Sequence, residues 1–305
     1  MSLATTKEML KKAQLGGYAV PHFNTSDLEI TKAIISTAES LNSPVIVATS
    51  KSAIEYAGLN ELGNIVIGLA KKAKVPVALH LDHSPTFKLA KSCADNGWTS
   101  IMIDGSRFKF KKNIELTKQV VTYCHKKGIP VEGELGRLMG IEGWVKSKSS
   151  VFTDPQKARD FVINTGCDFL AVSIGTSHGA YKFSGKPKLD FKRLKEIKEI
   201  VSVPLVLHGA STVSNKLLTK ARKYGAVLPS AQGVPERHIK KAIKLGICKI
   251  NTDTDIRIAF DASIRQFLHE NPKVFDYREI LSFAMSGVSE VVSEKIKLFK
   301  SYNKK

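Results

Sequence analysis

Short apolar runs recur along the chain, and a segment of helical length separates each run from the next. The runs have the length and the turn-residue boundaries of buried strands. The intervening segments carry apolar residues at helical spacing, as in 27–41, where Ile30, Ile34 and Ala38 share one face. The predicted strands lie at 18–24, 44–50, 77–84, 100–105, 130–136, 168–175, 204–209 and 247–252.

Strict alternation of strand and helix predicts a parallel sheet, because a parallel return needs a crossover connection. Eight such units close a barrel. An open doubly wound sheet is the alternative, but no GxGxxG follows the first strand. We therefore predict an α/β fold, a (β/α)8 TIM barrel with additional terminal helices, as a single domain over residues 1–305. Predicted helices include 6–15, one stretch through Tyr56 to Ala73, and 255–270 and 277–301 at the end.

Composition fits a soluble globular protein, with 43% hydrophobic and 25% charged residues. No apolar run reaches the roughly 18–20 residues of a membrane span, and the N-terminus lacks the apolar region of a signal peptide. The four cysteines are dispersed without a CxxC spacing. These features predict a cytoplasmic protein with reduced thiols and no membrane partner.

The formal net charge of +19 has two interpretations. It can attract polyanions or phosphorylated metabolites, or it can reflect lysines scattered over solvated helix faces. No basic tract interleaved with aromatic residues stands out as a nucleic-acid platform. We expect no nucleic-acid partner, and a basic surface remains compatible with a phosphorylated substrate.

Polar residues collect where the predicted strands end. In a barrel these ends face one mouth, where such folds carry their active sites. A purely structural role would favour apolar or small residues there. The strand-end residues are Asn24, Ser50, Asp82 with His83, Asp104, Glu134, His208 and Asn251, and His178 lies just past the sixth strand.

Three of these residues, His83, His178 and His208, are imidazoles that could share a metal ion. Three histidines leave one open position on a tetrahedral zinc, which is typical of a catalytic site. A lone histidine would more often be a core or surface residue, and a buried Asp82–His83 hydrogen bond is the simpler alternative. Since adjacent strand residues point to opposite faces, both side chains can enter the mouth only if the strand ends between them.

Two strand ends have features of a phosphate site. Gly209-Ala210-Ser211 follows the seventh strand, and 251–254 leads from the eighth strand into a helix. Small residues and a helix N-terminus favour the binding of an anion, and in this fold these two loops commonly form the phosphate-binding site. Helix capping alone would also explain them. Lys182 could add a positive charge.

The segment 137–155 is the longest connection without clear periodicity, and we predict a mobile loop there. Its acidic residue Glu142 is either a mobile base or a solvated loop charge.

Five motifs in order resemble the zinc-dependent class II fructose-bisphosphate aldolases: HLDHS (80–84), EGELGRLMG (132–140), SIGTSHGAYK (173–182), LVLHGAS (205–211) and KINTDTD (249–255). The similarity covers essentially the whole chain. It implies reversible cleavage of fructose 1,6-bisphosphate to dihydroxyacetone phosphate and glyceraldehyde 3-phosphate, within glycolysis and gluconeogenesis.

The resemblance also implies roles for individual residues. His83, His178 and His208 would bind Zn²⁺, Glu134 would support the metal site by orienting His83, and Asp82 would be the proton donor. Substrate would be held by Asn24, Ser50, Gly179, Lys182, Gly209, Ala210, Ser211, Asn251, Asp253, Thr254 and Arg257. A monovalent cation, Na⁺ or K⁺, would lie near the phosphate. Arg257 could act from a neighbouring subunit, so a homodimer or homotetramer is expected.

Two departures from the family pattern stand out. Many relatives carry two acidic residues in the mobile loop, whereas here Glu142 stands alone as the candidate enolising base. The turn that begins at Gly209 has Ala210 where a second glycine is common, which requires an ordinary backbone angle at Ala210.

Three alternatives remain open from the sequence. Tagatose-bisphosphate aldolase uses the same site, and Asp253 favours fructose over tagatose. A Schiff-base aldolase would use Lys249 on the eighth strand. A non-catalytic barrel that binds polyanions is suggested only by the net charge.

Overall fold

Eight parallel strands close into a barrel in the computed structural model. The structure describes residues 2–137, 139–142, 145–147, 151–178, 189–228 and 233–305. For 139–142, 145–147 and 178 it describes the backbone alone.

The strands of the described residues are, in chain order, β1 (Val20–Asn24), β2 (Val45–Ser50), β3 (Val77–Ser84), β4 (Ser100–Ile103), β5 (Val131–Leu135), β6 (Met139–Glu142), β7 (Val145–Ser147), β8 (Phe169–Val172), β9 (Ser177–His178), β10 (Leu205–Leu207) and β11 (Ile247–Thr252). Around the barrel the order is β1-β11-β10-β8-β5-β4-β3-β2. All eight predicted strands are therefore present, and the barrel is closed. The prediction of a closed (β/α)8 barrel is confirmed.

The helices of the described residues surround the barrel. They are α1 (Thr6–Gly16), α2 (Leu28–Ser40), α3 (Lys51–Ala57), α4 (Leu59–Lys72), α5 (Phe87–Asp95), α6 (Phe110–His125), α7 (Pro155–Thr165), α8 (Phe191–Ile200), α9 (Asn215–Lys223), α10 (Glu236–Lys244), α11 (Thr254–Glu270) and α12 (Tyr277–Leu298). Among them, none combines the length and the apolar character needed to cross a bilayer.

Two elements differ from the sequence-based expectation. The single helix predicted through Tyr56 to Ala73 is two helices, because Gly58 has a φ of 88° and breaks the backbone between α3 and α4. The segment 137–155, predicted as a loop, contains β6 and β7, which form a small sheet with β9. These strands are only 4, 3 and 2 residues long, too short for a periodic pattern to reveal them.

The loops that lead into the helices end in residues that cap them. The side chain of Asp27 accepts a hydrogen bond from the Ile30 backbone N–H at the start of α2. Thr86 does the same for Leu89 at the start of α5. These caps satisfy backbone donors that the first turn of a helix leaves unpaired, and so they fix where each helix begins.

The main hydrophobic core lies between the barrel and its helices. Trp98 is one of its largest buried side chains, and its indole N–H donates to Thr49 Oγ1 at 2.9 Å. Thr49 precedes Ser50, the last residue of β2. The core therefore packs directly beneath the strand ends that form the mouth.

Two glycines of α4 give a matched test of this packing. A Cβ atom on Gly63 would lie 2.8 Å from the Trp98 ring, whereas one on the exposed Gly68 would meet nothing within 4 Å. We expect Gly63→Ala to lower the free energy of unfolding by about 1–3 kcal/mol through overpacking. Gly68→Ala should raise it by about 0.5–1 kcal/mol through helix propensity. Urea unfolding of both variants checks this, and equal stabilisation by both would contradict the packing described.

Candidate functional site

A cavity of about 250 Å³ opens at the carboxyl ends of the strands. Several residues singled out from the sequence line it together: Asn24, Ser50, Asp82, His83, Asp253 and Arg257. They come from β1, β2, β3 and the start of α11. Barrel closure thus brings distant parts of the chain to one mouth, as expected for this fold.

A β-bulge turns both Asp82 and His83 towards this cavity. The register of β3 against β4 shifts between Leu81 and Ser84, and His83 has a φ of 47°. The strand therefore does not end between the two residues, as the sequence suggested, but continues to Ser84. A bulge inserts one extra residue and breaks the alternation of side chains. Histidine is one of the side chains that adopt a positive φ more often than most.

The Asp82 carboxylate is buried and held by two carboxamides. Oδ2 accepts a hydrogen bond from Asn24 Nδ2 at 2.9 Å, and Oδ1 accepts one from Asn251 Nδ2 at 3.2 Å. Asn251 is oriented in turn, because its Oδ1 accepts from Lys249 Nζ at 2.8 Å. The carboxylate is thus fixed in position while lone pairs remain to receive a proton.

Beside Asp82, the side chains of His83, Glu134 and His208 converge. Their candidate ligand atoms all lie within 4.8 Å of one another, and all three residues are buried. Glu134 Oε2 lies 3.5 Å from His83 Nδ1 and 3.6 Å from His208 Nδ1. Two imidazoles and a carboxylate are ligands that suit a divalent ion such as zinc. The residues present therefore fit a metal site.

Two further carboxylates orient the imidazoles. His83 Nδ1 is 3.1 Å from Asp104 Oδ2, and His208 Nε2 is 2.8 Å from Glu132 Oε1. If each of these nitrogens carries the proton, His83 Nε2 and His208 Nδ1 hold the lone pairs that could bind a metal. Asp104 lies closer to His83 Nδ1 than Glu134 does, and the orienting role that the resemblance implies for Glu134 stays a prediction.

These carboxylates also set the charge of the two histidines. Burial lowers the pKa of His83, but the charge of Asp82 and the hydrogen bond with Asp104 outweigh it and raise the pKa well above its usual range. Burial likewise lowers the pKa of His208, and its hydrogen bond to Glu132 reverses the effect. The carboxylates around the two imidazoles thus favour positive charge at this position.

Below the mouth, Lys249 and Glu132 form an ion pair inside the barrel. Lys249 Nζ lies 2.9 Å from Glu132 Oε2, and both side chains are fully buried. Burial and the Lys249 charge lower the pKa of His80 to about 3, and they lower that of His22 well below its usual range. Both histidines are therefore neutral near pH 7, and the ammonium balances the Glu132 carboxylate.

The two predicted phosphate loops lie against each other. Thr212 Oγ1, one residue past Ser211, is 3.4 Å from Asp255 Oδ1 in the first turn of α11. Ser211 and Thr254 are both buried. Gly209 has a φ of 60°, and a Cβ there would lie 2.6 Å from Ser177 O, so the turn requires glycine at this position. Ala210 is not among the residues with positive φ, so it has the ordinary backbone angle that an alanine at this position of the turn requires.

The remaining predicted residues differ in exposure. Ser50 Oγ caps α3 by accepting from the Ala53 N–H at 3.2 Å. Arg257 is 70% exposed at its side chain and pairs with Asp253 at 3.4 Å. The side chains of Glu142 and His178, and the whole of Gly179 and Lys182, lie outside the described residues. Their roles stay predictions.

Sequence reasoning did not assign Glu132 and His22, and it gave Lys249 only a rival role. A signal existed, because residues two apart on a strand share a face. His22 precedes Asn24 by two positions, Glu132 precedes Glu134, and Lys249 precedes Asn251. Because each of the three lies two positions before a predicted site residue on the same strand, its side chain could have been predicted to point into the barrel as well.

Asp104→Asn tests the orientation of His83. The carboxamide keeps the size of the side chain but loses the charge, and we expect metal affinity to fall by about 10- to 100-fold. The zinc dissociation constant, measured by chelator competition, checks this. Asp168→Asn is the matched control, because Asp168 likewise pairs a carboxylate with an imidazole, that of His125 at 2.8 Å, but lies just before the start of β8, at the end of the barrel away from the mouth. Equal zinc affinity in Asp104→Asn and the unaltered protein would contradict the assignment.

Comparison with known proteins agrees with this geometry. The family model for fructose-bisphosphate aldolase class-II matches residues 4–304. The chain is 48% identical over 301 residues to a fructose-bisphosphate aldolase of Thermus caldophilus, covering 98% of each chain. It is 43% identical to that of Helicobacter pylori (strain ATCC 700392 / 26695), covering 99% of each. The crystal structure of the YdjI aldolase from Escherichia coli K12 superposes with a TM-score of 0.81 at 34% identity, covering 99% of each chain. The chain belongs to the class II fructose-bisphosphate aldolases, which are metal-dependent lyases.

Proposed function

We propose that this protein cleaves fructose 1,6-bisphosphate reversibly to dihydroxyacetone phosphate and glyceraldehyde 3-phosphate with the help of zinc. The observation that carries the proposal is the buried Asp82 carboxylate, which two carboxamides hold beside His83, Glu134 and His208. A fixed carboxylate next to a cluster of metal-binding side chains combines proton transfer with charge stabilisation. Aldol cleavage needs both.

His83 and His208 would hold the ion, together with the predicted ligand His178. When bound, zinc would act as a Lewis acid that stabilises negative charge developing on the ketose oxygens. Asp104 and Glu132 hold the two described imidazoles in orientation through their hydrogen bonds. Because both contacts are buried, they hold these rings with little competition from water.

Asp82 moves the proton of the reacting hydroxyl. In cleavage it takes the proton from the C4 hydroxyl group as the bond between C3 and C4 breaks, and glyceraldehyde 3-phosphate leaves. In condensation it returns that proton to the aldehyde oxygen. Asn24 and Asn251 keep the carboxylate in place during both directions. A positioned acid of this kind contributes about 10²–10⁴-fold to the rate.

Glu142 is our candidate for the base that removes a proton from the hydroxymethyl carbon of dihydroxyacetone phosphate, C3 in the numbering of fructose 1,6-bisphosphate, during condensation. In cleavage the same group would return that proton to the carbon after the bond between C3 and C4 has broken. The phosphate of that half is assigned to Gly209, Ser211 and Thr254 with Gly179, Ala210 and Lys182. The backbone N–H groups of a tight turn and of a helix N-terminus suit an anion. Asp253 and Arg257, which line the cavity, are assigned to the sugar hydroxyls and the distal phosphate.

We extend the proposal to the organisation of the protein. The whole chain, 1–305, would form one barrel domain with a mobile loop at 137–155. It would assemble as a homodimer or homotetramer and act in the cytoplasm. A Na⁺ or K⁺ ion would accompany the substrate phosphate.

The buried ion pair argues against Schiff-base chemistry at Lys249. An amine attacks a carbonyl only with its lone pair, and this ammonium is fully buried against Glu132 and hydrogen-bonded to Asn251.

The nearest alternative is cleavage of tagatose 1,6-bisphosphate, which differs in configuration at one hydroxyl group. Rates on the two sugars decide between them.

Asp82→Asn tests the proton-transfer role. The amide keeps the shape of the side chain but cannot accept the C4 hydroxyl proton, so kcat should fall by about 10²–10⁴-fold. Zinc content per chain should stay unchanged, because Asp82 is not assigned as a ligand. Steady-state kinetics and elemental analysis of the same preparation measure both. A loss of zinc in parallel with activity would mean that Asp82 holds the metal instead.

Metal removal tests the reaction class. Cleavage of fructose 1,6-bisphosphate should disappear with EDTA, return with added zinc, and survive treatment with borohydride. Activity that resists EDTA but is lost on borohydride treatment would indicate a Schiff-base mechanism that uses a lysine. A zinc-loaded protein that cleaves only tagatose 1,6-bisphosphate would change the substrate and keep the mechanism.

A further inference from the structure

A buried ion pair ties the last helix of the described chain to the mouth of the barrel. Lys295 on α12 lies 2.8 Å from Asp255 Oδ1 in the first turn of α11, and their side chains are only 4% and 2% exposed. The mechanism uses neither residue. Removing one partner of a buried pair leaves an uncompensated charge, so the protein depends on both being present.

The same carboxylate oxygen holds the loop that follows β10. Asp255 Oδ1 accepts a hydrogen bond from the Val213 backbone N–H at 3.0 Å. Thr212 Oγ1 contacts both Asp255 and Lys295 Nζ. These two loop residues directly follow Gly209-Ala210-Ser211, the turn assigned to the substrate phosphate.

The loop needs this restraint, because Val213 is strained. It has a φ of 40°, a conformation that a β-branched residue adopts only as an outlier. Such a conformation persists where surrounding contacts over-determine it. Val213 is buried, and its backbone N–H is held by Asp255. The ion pair therefore supplies a contact that keeps the loop in its observed shape.

Lys295 also changes the electrostatic environment of the proposed phosphate site. Asp255 directly follows Thr254, which is assigned to the phosphate, so an uncompensated carboxylate there would repel the anion. Lys295 is in contact with that carboxylate and balances its charge. The buried pair thus lets an acidic residue restrain the loop without opposing the substrate.

We propose that Asp255 and Lys295 are positioning residues that hold the 209–213 loop in the conformation that binds the phosphate of dihydroxyacetone phosphate. This inference rests on the proposed function for the identity of the phosphate-bearing substrate. It adds α12, a helix remote in sequence from the loop, to the determinants of substrate affinity.

The test compares Lys295→Met, Asp255→Asn and the double variant with the unaltered protein. We expect each single variant to raise KM for fructose 1,6-bisphosphate, and the inhibition constant of inorganic phosphate, by about 10- to 100-fold, as displaced binding groups do. The effect on kcat should be much smaller, because the pair does not touch the reacting atoms. The double variant should raise KM and the phosphate inhibition constant by less than the product of the two single fold-changes, because the two residues act as a unit.

Asp261→Asn is the matched control, since Asp261 lies on the same helix and pairs with Arg265 near the surface. It should leave KM and the phosphate inhibition constant unchanged. Unchanged constants in the single variants, with only a lower melting temperature, would overturn the proposal and leave the pair a purely structural role.

Thr212→Val covers the case in which the charge variants fail to fold. It removes the hydroxyl contact and leaves the ion pair intact, and we expect a smaller rise in the phosphate inhibition constant. No rise would count against the proposal.

Phosphate binding without turnover separates this inference from the proposed function. Inorganic phosphate should raise the melting temperature of the unaltered protein and raise that of Asp255→Asn less. If the protein cleaves no sugar bisphosphate but shows this difference, the proposed function fails and the positioning role stands. If phosphate stabilises both proteins equally, the positioning role fails.

Discussion

Several ionisable side chains lie buried inside the barrel, where charged groups are stable only when each charge is paired. Glu132 is the centre of this pairing, because one oxygen contacts Lys249 and the other accepts from His208. Lys249 in turn orients Asn251, which holds Asp82. A chain of contacts therefore links the buried ion pair both to Asp82 and to the cluster that contains His208. The interactions that compensate the buried charges are therefore the same ones that position the side chains at the mouth.

This arrangement explains why the polar residues occur in pairs two positions apart along the strands. The deeper member of each pair, such as Glu132 or Lys249, is fully buried and fixes the outer member or a neighbour across the barrel. The outer member, such as Glu134 or Asn251, reaches the site. Rigid strands carry both, which gives the site a precision that loops alone would not provide. The loops that follow β10 and β11 carry the residues that we propose for binding the substrate phosphate.

Much of the fold and part of the site could be predicted from the sequence. The eight strands follow from apolar periodicity, which is a local property, and their alternation with helices leaves a parallel sheet as the consistent arrangement. The short strands β6 and β7 escaped prediction because three or four residues carry no measurable period. Asp82, His83 and His208 were identifiable because each ends an apolar strand and has a side chain suited to proton transfer or metal binding. The family resemblance then assigned their roles.

The sequence by itself determined the closed barrel and several of the residues at its mouth, because these depend on local pattern and on the types of side chain, and its resemblance to a known family indicated the class of chemistry. Only the tertiary structure showed the bulge that lets Asp82 and His83 share one cavity, since alternation alone would separate them. It also decided that Asp104 and Glu132 orient the histidines, and that Lys295 reaches a loop that lies 83 residues earlier in the chain. Contacts between distant residues depend on distances and angles that only the folded chain sets, and no periodicity in the sequence encodes them.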